Sequence, residues 1–255
     1  MKDILINGAK KAGEILKEDF FKSKNVSNKG IADLVTETDV KIEVFLKKYF
    51  HKHLPIFKFI GEESSDSLDL DGKCLIVDPI DGTTNFVHGF PFVAISIGVY
   101  EDMVPIEGVV YNPILGEMFY AKRGGGAFLN NIPIKVSKEK KLVSSLIATG
   151  FPYEFVKKNR KDILGKLENI LINSHGIRRA GAASLDLCYV AKGSFDGYYE
   201  GGLKPWDVAA GVLIVKEAGG LVTDLKGNDY LFESEYILAT NKNIHNELIE
   251  VLNDF

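Results

Sequence analysis

Over the first 22 positions Ile4, Leu5, Ala9, Ala12, Ile15 and Leu16 recur at helical spacing with lysines between them, which predicts an amphipathic helix over 1–22. The polar stretch Lys22–Asp33, which carries Lys29-Gly30, predicts a loop. A second helix is expected to start near Thr38-Asp39, with one of the two as its cap, and to run through Ile42, Phe45, Leu46 and Tyr49. From Phe57 the texture changes to short apolar runs of the kind that make strands. Phe57–Ile60 leads into Gly61-Glu62-Glu63, and Leu75–Val77 leads into Asp78. Phe92–Tyr100 and Val104–Tyr111 predict a hairpin about Glu101-Asp102-Met103; Gly116–Ala121 and Gly126–Leu129 follow as strands around a turn at Arg123–Gly126.

The second half alternates between the two periods. A strand at Leu146–Ala148 precedes a helix over Asn159–Asn173 and a short strand at His175–Arg178. Gly181-Ala182-Ala183-Ser184 opens a helix through Ala191, and Ser194–Tyr199 reads as a strand. Pro205-Trp206-Asp207 opens a helix to Ala218 that Gly219-Gly220 stops. Strands at Val222-Thr223 and Tyr236–Ala239 and a final helix at Ile244–Leu252 are expected, and the charged segment Ser137–Lys141 marks the seam between the halves.

Composition narrows the class. At 255 residues, 45% hydrophobic and 26% charged, the chain can bury a core and lacks the make-up of a disordered protein. No apolar run reaches the ~18 residues of a membrane span, and Met1-Lys2-Asp3-Ile4 opens no signal peptide. A cytoplasmic protein without a membrane partner is therefore expected. A net charge of −4 gives no basic footprint for nucleic acid. Cys74 and Cys188 read as buried free thiols, and the histidines at 51, 53, 88, 175 and 245 as surface or packing residues.

Candidate chemistry gathers at Glu62 and at Asp78-Pro79-Ile80-Asp81-Gly82-Thr83-Thr84-Asn85. Glu62 and Asp78 stand at the ends of expected strands, where open α/β sheets bind ligands. Asp81 follows Asp78 by three residues with Pro79 stiffening the turn, so both carboxylates can face one cation. Oxygen donors of this kind suit Mg²⁺. Gly82-Thr83-Thr84 begins a helix or tight turn and can offer N–H groups and a positive dipole end to a phosphate. Aspartates also cap turns and helices. Glu62 upstream and Trp206-Asp207 at a helix start downstream make capping an insufficient account. Gly181-Ala182-Ala183 fits either a ligand or close helix packing.

Glu62, the string Asp78–Phe92 and Trp206-Asp207-Val208-Ala209-Ala210-Gly211 resemble the signatures of inositol monophosphatases, whose superfamily includes fructose-1,6-bisphosphatases and 3′-phosphoadenosine 5′-phosphate phosphatases. Asp33–Asp39 and Gly219-Gly220 also fit, so the resemblance spans nearly the whole chain. It implies a layered α-β-α-β-α sandwich of the sugar-phosphatase type, with an α+β part over 1–140 and an α/β part over 141–255 that supplies Asp207 and the substrate contacts. It implies a Mg²⁺-dependent, Li⁺-sensitive phosphomonoesterase acting on inositol 1-phosphate, homodimeric, with Mn²⁺ as a substitute ion.

Residue by residue, the resemblance assigns the first metal to Glu62, Asp78 and the Ile80 carbonyl, with Thr83 close by. A second goes to Asp78, Asp81 and Asp207, and a third, weaker ion near Glu62. Asp39 and Thr83 orient the attacking water. Gly82 and Thr83 N–H groups take the phosphate. Glu200 and Ala183 meet the alcohol's hydroxyls, and Gly181 and Ala182 line the pocket. Lys204 stands where animal members tend to carry histidine and could contact substrate. Ala182 replaces a hydroxyl residue often seen there, and Lys29 could approach a bound metal or phosphate. Fructose 1,6-bisphosphate, another sugar phosphate or a nucleotide 3′-phosphate are alternative substrates at the same site, and a non-enzymatic interaction protein is the remaining alternative.

Overall fold

The computed structural model describes residues 1–22, 26–28, 34–65 and 69–254. Lys29, and with it any approach to a ligand, lies outside the described residues. The first layer is α1 (Lys2–Phe20) and α2 (Glu37–His53), whose apolar stripes pack together and onto a sheet. Within the stretch expected as a loop lies β1 (Val26–Asn28), which pairs antiparallel with β2 (Leu34–Thr36) just beyond it. The start of α2 also differs from expectation. Thr36 is the cap and Asp39 the third helical residue, each side chain bonding the other's backbone N–H, because a capping box needs that three-residue spacing.

The second layer is a seven-stranded sheet of β3 (Lys58–Gly61), β4 (Lys73–Asp81), β5 (Ala94–Glu101), β6 (Val104–Asn112), β7 (Glu117–Lys122), β8 (Gly126–Leu129) and β9 (Ile132–Pro133), in that order. Only β3 and β4 are parallel; the rest is an antiparallel meander. Between β4 and β5 lies α3 (Thr83–His88). The fourth layer is a five-stranded sheet in the order β11-β10-β12-β14-β13, built from β10 (Leu146–Thr149), β11 (Gly176–Arg178), β12 (Gly197–Gly201), β13 (Leu221–Thr223) and β14 (Tyr236–Thr240). Its outer face carries α4 (Tyr153–Asn173) and α7 (His245–Asn253). The helix α4 begins six residues before its apolar periodicity, across a non-helical Asn159 (φ −116°, ψ 24°), and this break separates the two stretches.

Between the sheets run α5 (Ala183–Ala191) and α6 (Pro205–Glu217), the third layer. Both are apolar on nearly every side, as helices covered by two sheets must be. Gly98 of β5 and Gly108 of β6 let α6 come close: a Cβ on Gly98 would stand 2.7 Å from the Ala209 Cβ, and one on Gly108 3.0 Å from the Ala210 carbonyl oxygen. This approach fixes the start of α6, and so Asp207, above the sheet. Cys74 and Cys188 are free and buried. His245 is buried between the Thr223 and Thr240 hydroxyls, while the other four histidines are exposed. No helix among the described residues is long and apolar enough to cross a membrane.

Candidate active site

The acidic motif is built on a β-bulge. In a regular strand, residues three apart point to opposite faces. On β4, however, Asp78 pairs with Ser96 and Asp81 with Ala94, so three steps on β4 match two on β5. The extra residue brings Asp78 and Asp81 to one face. Pro79, which has no N–H to lose, sits in the irregular stretch. Ile80 points the other way, into the core beneath α1 and α2. The shared face looks toward α6, since the Ser96 hydroxyl donates to the Trp206 carbonyl at 3.4 Å.

Gly82 follows at φ +91°, a left-handed conformation that favours glycine, and turns the strand into α3. A Cβ there would also meet the Phe92 carbonyl oxygen at 2.9 Å. The Thr83 hydroxyl lies 3.1 Å from the Ile80 carbonyl oxygen and 3.2 Å from Asp39 Oδ1, either of which can accept its proton. The other oxygen of Asp39 accepts the Thr36 N–H at 2.9 Å and the Thr36 hydroxyl. Asn85 ties this turn to the second half by donating to Phe92, Ala180 and Gly181 carbonyls.

Asp81 Oδ2 accepts both the Ser184 N–H (2.7 Å) and its hydroxyl (2.5 Å), so it is held at the start of α5. Asp207, in the first turn of α6, accepts the Lys204 N–H at 2.7 Å. A cleft of about 720 Å³, its open mouth included, is lined by Asp81, Gly82, Thr83 and Asp207 together with Gly181, Ala182, Ala183 and Glu200. Glu62 is half-buried near the acidic side. Lys204 is exposed and lies off the cleft wall; its main chain, through Asp207, is its link to the site.

Burial holds the Asp78 carboxyl well above the usual range, and Glu62, Asp81 and Asp207 push it further. Burial and then Glu62 do the same to Asp207. Burial lifts Asp81 to about 6 against the opposing Ser184 hydrogen bonds. Asp39 is also raised by burial, opposed by its Thr36 and Thr83 donors. Glu200, 8% exposed, is pushed to about 7 by burial, opposed by the Tyr198 hydroxyl (2.6 Å) and by Arg179.

Asp78 Oδ1 is buried without a hydrogen-bond partner among the described residues. No three Asp, Glu, His or Cys side chains among them are already drawn together as a closed cation cage. The all-oxygen donor set and the orphaned Asp78 oxygen nonetheless fit a hard divalent cation, which would favour the charged form of acids that burial and, at Asp78 and Asp207, neighbouring carboxylates disfavour.

The family model described as the inositol monophosphatase family matches residues 1–254. The chain belongs to the inositol monophosphatase family. Membership makes it an enzyme, a phosphatase. It is 46% identical to inositol monophosphatase 2 of Solanum lycopersicum, over 99% of this chain and 97% of the other. It is 41% identical to the inositol-1-monophosphatase of Rhizobium meliloti (strain 1021), over 98% and 95%. The solved extragenic suppressor protein suhB of Bartonella henselae superposes with a TM-score of 0.93 at 41% identity, covering 99% and 98% of the two chains. The layered sandwich expected from the motifs is the architecture observed.

Several neighbours of the site carried no readable sign in the sequence. Ser184 holds Asp81 across 103 residues of chain. Arg179 is the one cationic side chain among the described residues that line the cleft, and Tyr153 lines it too. Asp186 is buried with neither carboxyl oxygen partnered among the described residues; burial, and then Glu200 and Asp81, favour its neutral form.

Proposed function

We propose that this phosphatase hydrolyses inositol 1-phosphate with Mg²⁺. The observation that carries the reading is Asp78: a buried carboxylate with an orphaned oxygen, turned by a bulge to share a face with Asp81 and raised by Glu62, Asp81 and Asp207. Glu62, Asp78 and the Ile80 carbonyl would hold one Mg²⁺, and Asp78, Asp81 and Asp207 would hold a second, with a weaker third near Glu62. Bound there, such ions acidify water and neutralise charge on the leaving oxygen. Gly82 and Thr83 N–H groups receive the phosphate. The Thr83 hydroxyl, set by Asp39, orients the attacking water and can pass its proton toward Asp39. Glu200 and Ala183 accept and pack against the cyclitol hydroxyls, while Gly181 and Ala182 leave room for its ring. The 1–140 part brings Glu62, Asp78, Asp81 and Thr83 to the cleft, and the 141–255 part brings Asp207 and the substrate contacts. Kinship supports a cytoplasmic, Li⁺-sensitive homodimer that also works with Mn²⁺.

Arg179 favours a second reading. A cation on the alcohol side of the cleft, near Glu200, suits a substrate with a further anionic group such as fructose 1,6-bisphosphate. A phosphate-release panel with Mg²⁺ on inositol 1-phosphate, fructose 1,6-bisphosphate and 3′-phosphoadenosine 5′-phosphate tests both. Preference for inositol 1-phosphate, loss with a chelator and return with Mg²⁺ are expected. Release from none of the three sinks both readings.

A further inference from the structure

Glu43 has no part in the assignments above, yet it is 2% exposed on α2, a helix whose other charged residues mostly face solvent. Buried carboxylates are rare unless something requires them. It lies one helical turn beyond Asp39, and the two share the stripe Asp39, Ile42, Glu43, Leu46, Phe50 that faces the sheet. Its Oε2 accepts the Glu63 N–H at 2.8 Å. The same carboxylate rests on the α-carbon of Gly61, where a Cβ would overlap it. The turn Gly61–Glu63, which leaves β3 and presents Glu62, is thus held from below at both of its ends. A second tie, in which the Gly61 N–H donates to the Ser65 hydroxyl oxygen (3.0 Å), comes from within the loop and cannot set its distance from β4.

We infer that Glu43 is a positioning residue for Glu62, and that α2 fixes the spacing of the acid cluster. Asp39 grips the turn after β4 through Thr83, and Glu43, one turn along the same helix, grips the turn after β3. The two loops that bring Glu62 and Asp78–Asp81 together are separated by 1.5 Å per residue of helix, a spacing neither loop can set alone. This rests on the reading of Glu62 as a carboxylate that holds Mg²⁺.

The test is Mg²⁺ binding by the full chain, followed by calorimetry and by the rise of the thermal midpoint on adding Mg²⁺, beside the Mg²⁺ concentration that half-saturates phosphate release. Glu62→Gln is the reference and should weaken Mg²⁺ binding about tenfold or more, as loss of a ligand does. If it leaves binding intact, the metal reading itself fails. Glu43→Ala should weaken Mg²⁺ binding about five- to tenfold with little change in KM for inositol 1-phosphate at saturating Mg²⁺. Gly61→Ala, which displaces the carboxylate without removing it, should do the same and serves if Glu43→Ala does not fold. Glu43→Gln keeps an oxygen acceptor for the Glu63 N–H and should stay within twofold of the parent. The inference is overturned if folded Glu43→Ala or Gly61→Ala binds Mg²⁺ as the parent does while Glu62→Gln does not. It is equally overturned if Glu43→Gln loses as much as Glu43→Ala, since the residue would then act through its charge and not through its hold on the turn.

Discussion

In the acidic wall of the site burial raises the proton affinity of Asp78, Asp81 and Asp207, and the charges of Glu62 and Asp81 add to it at Asp78 and Asp207. On the other wall Glu200 has the Tyr198 hydroxyl as a donor and lies in the field of Arg179. In the first wall Asp78 Oδ1 has no hydrogen-bond partner among the described residues, which is a reason to recruit a cation. In the second, Glu200 already has a hydroxyl donor and a cation beside it, which suits an alcohol that must be recognised and released. Removing a group from the first wall should therefore strike the chemical step, and from the second the choice of substrate.

The largest effect is expected at Asp81→Asn. Its amide oxygen can still accept from Ser184, so the fold should hold by circular dichroism. Mg²⁺-dependent phosphate release should fall on the order of 10³-fold, about 4 kcal/mol of barrier. Activity within tenfold of the parent would erase the distinction between the walls. Thr83→Val keeps the shape and removes the donor shared by Ile80 and Asp39. Steady-state kinetics should show kcat lowered about 10²-fold with KM nearly unchanged; a change confined to KM would move Thr83 to the binding side.

Glu200→Gln probes the second wall. A hydrogen bond to a charged group contributes about 1.5 kcal/mol, so KM for inositol 1-phosphate should rise about tenfold with kcat little altered. Because Glu200 titrates at about 7, the parent's KM should also rise as pH falls below that value, and Glu200→Gln should flatten the profile. A fall in kcat alone would contradict the assignment. The smallest effect is in stability. Without metal, Asp81 and Glu200 keep protons up to about 6 and about 7, above their usual 3.8 and 4.5. Between about pH 4 and 7 the folded chain binds more protons than the unfolded one, so these groups make stability fall as pH rises. The thermal midpoint of chelator-treated protein should drop by a few degrees between pH 5 and 8. Mg²⁺, which binds deprotonated carboxylates, should reverse that slope.

The acidic wall was far more legible than its supports. Glu62, Asp78, Asp81 and Asp207 stand at strand and helix ends, in strings whose order is itself informative, and their approach in space follows from the layered fold. The helices and most strands declared themselves by period, with α2 displaced only because its capping box starts at Thr36. What stayed hidden depends on contacts between distant segments. Ser184 reads as one more small polar residue at a helix start, and its bond to Asp81 exists only once α5 meets β4. Arg179 borders a turn with no periodicity. Glu43 did leave a trace: it falls in phase with Ile42, Leu46 and Phe50, so an acid on an apolar stripe was visible, although its partner Glu63 was not.

The bulge between Asp78 and Asp81 gives the motif a property that its letters do not carry. A strand's alternation works like a reading frame of two, and the irregularity at Pro79-Ile80 shifts that frame once, just where the second aspartate is needed. The spacing is then as binding as the residues themselves. Exchanging Ile80 for another apolar residue keeps the frame, whereas deleting it would leave every carboxylate in the string yet turn Asp81 away from Asp207 and into the oily layer under α1 and α2. Among related chains, length across these four positions should vary less than identity at the third.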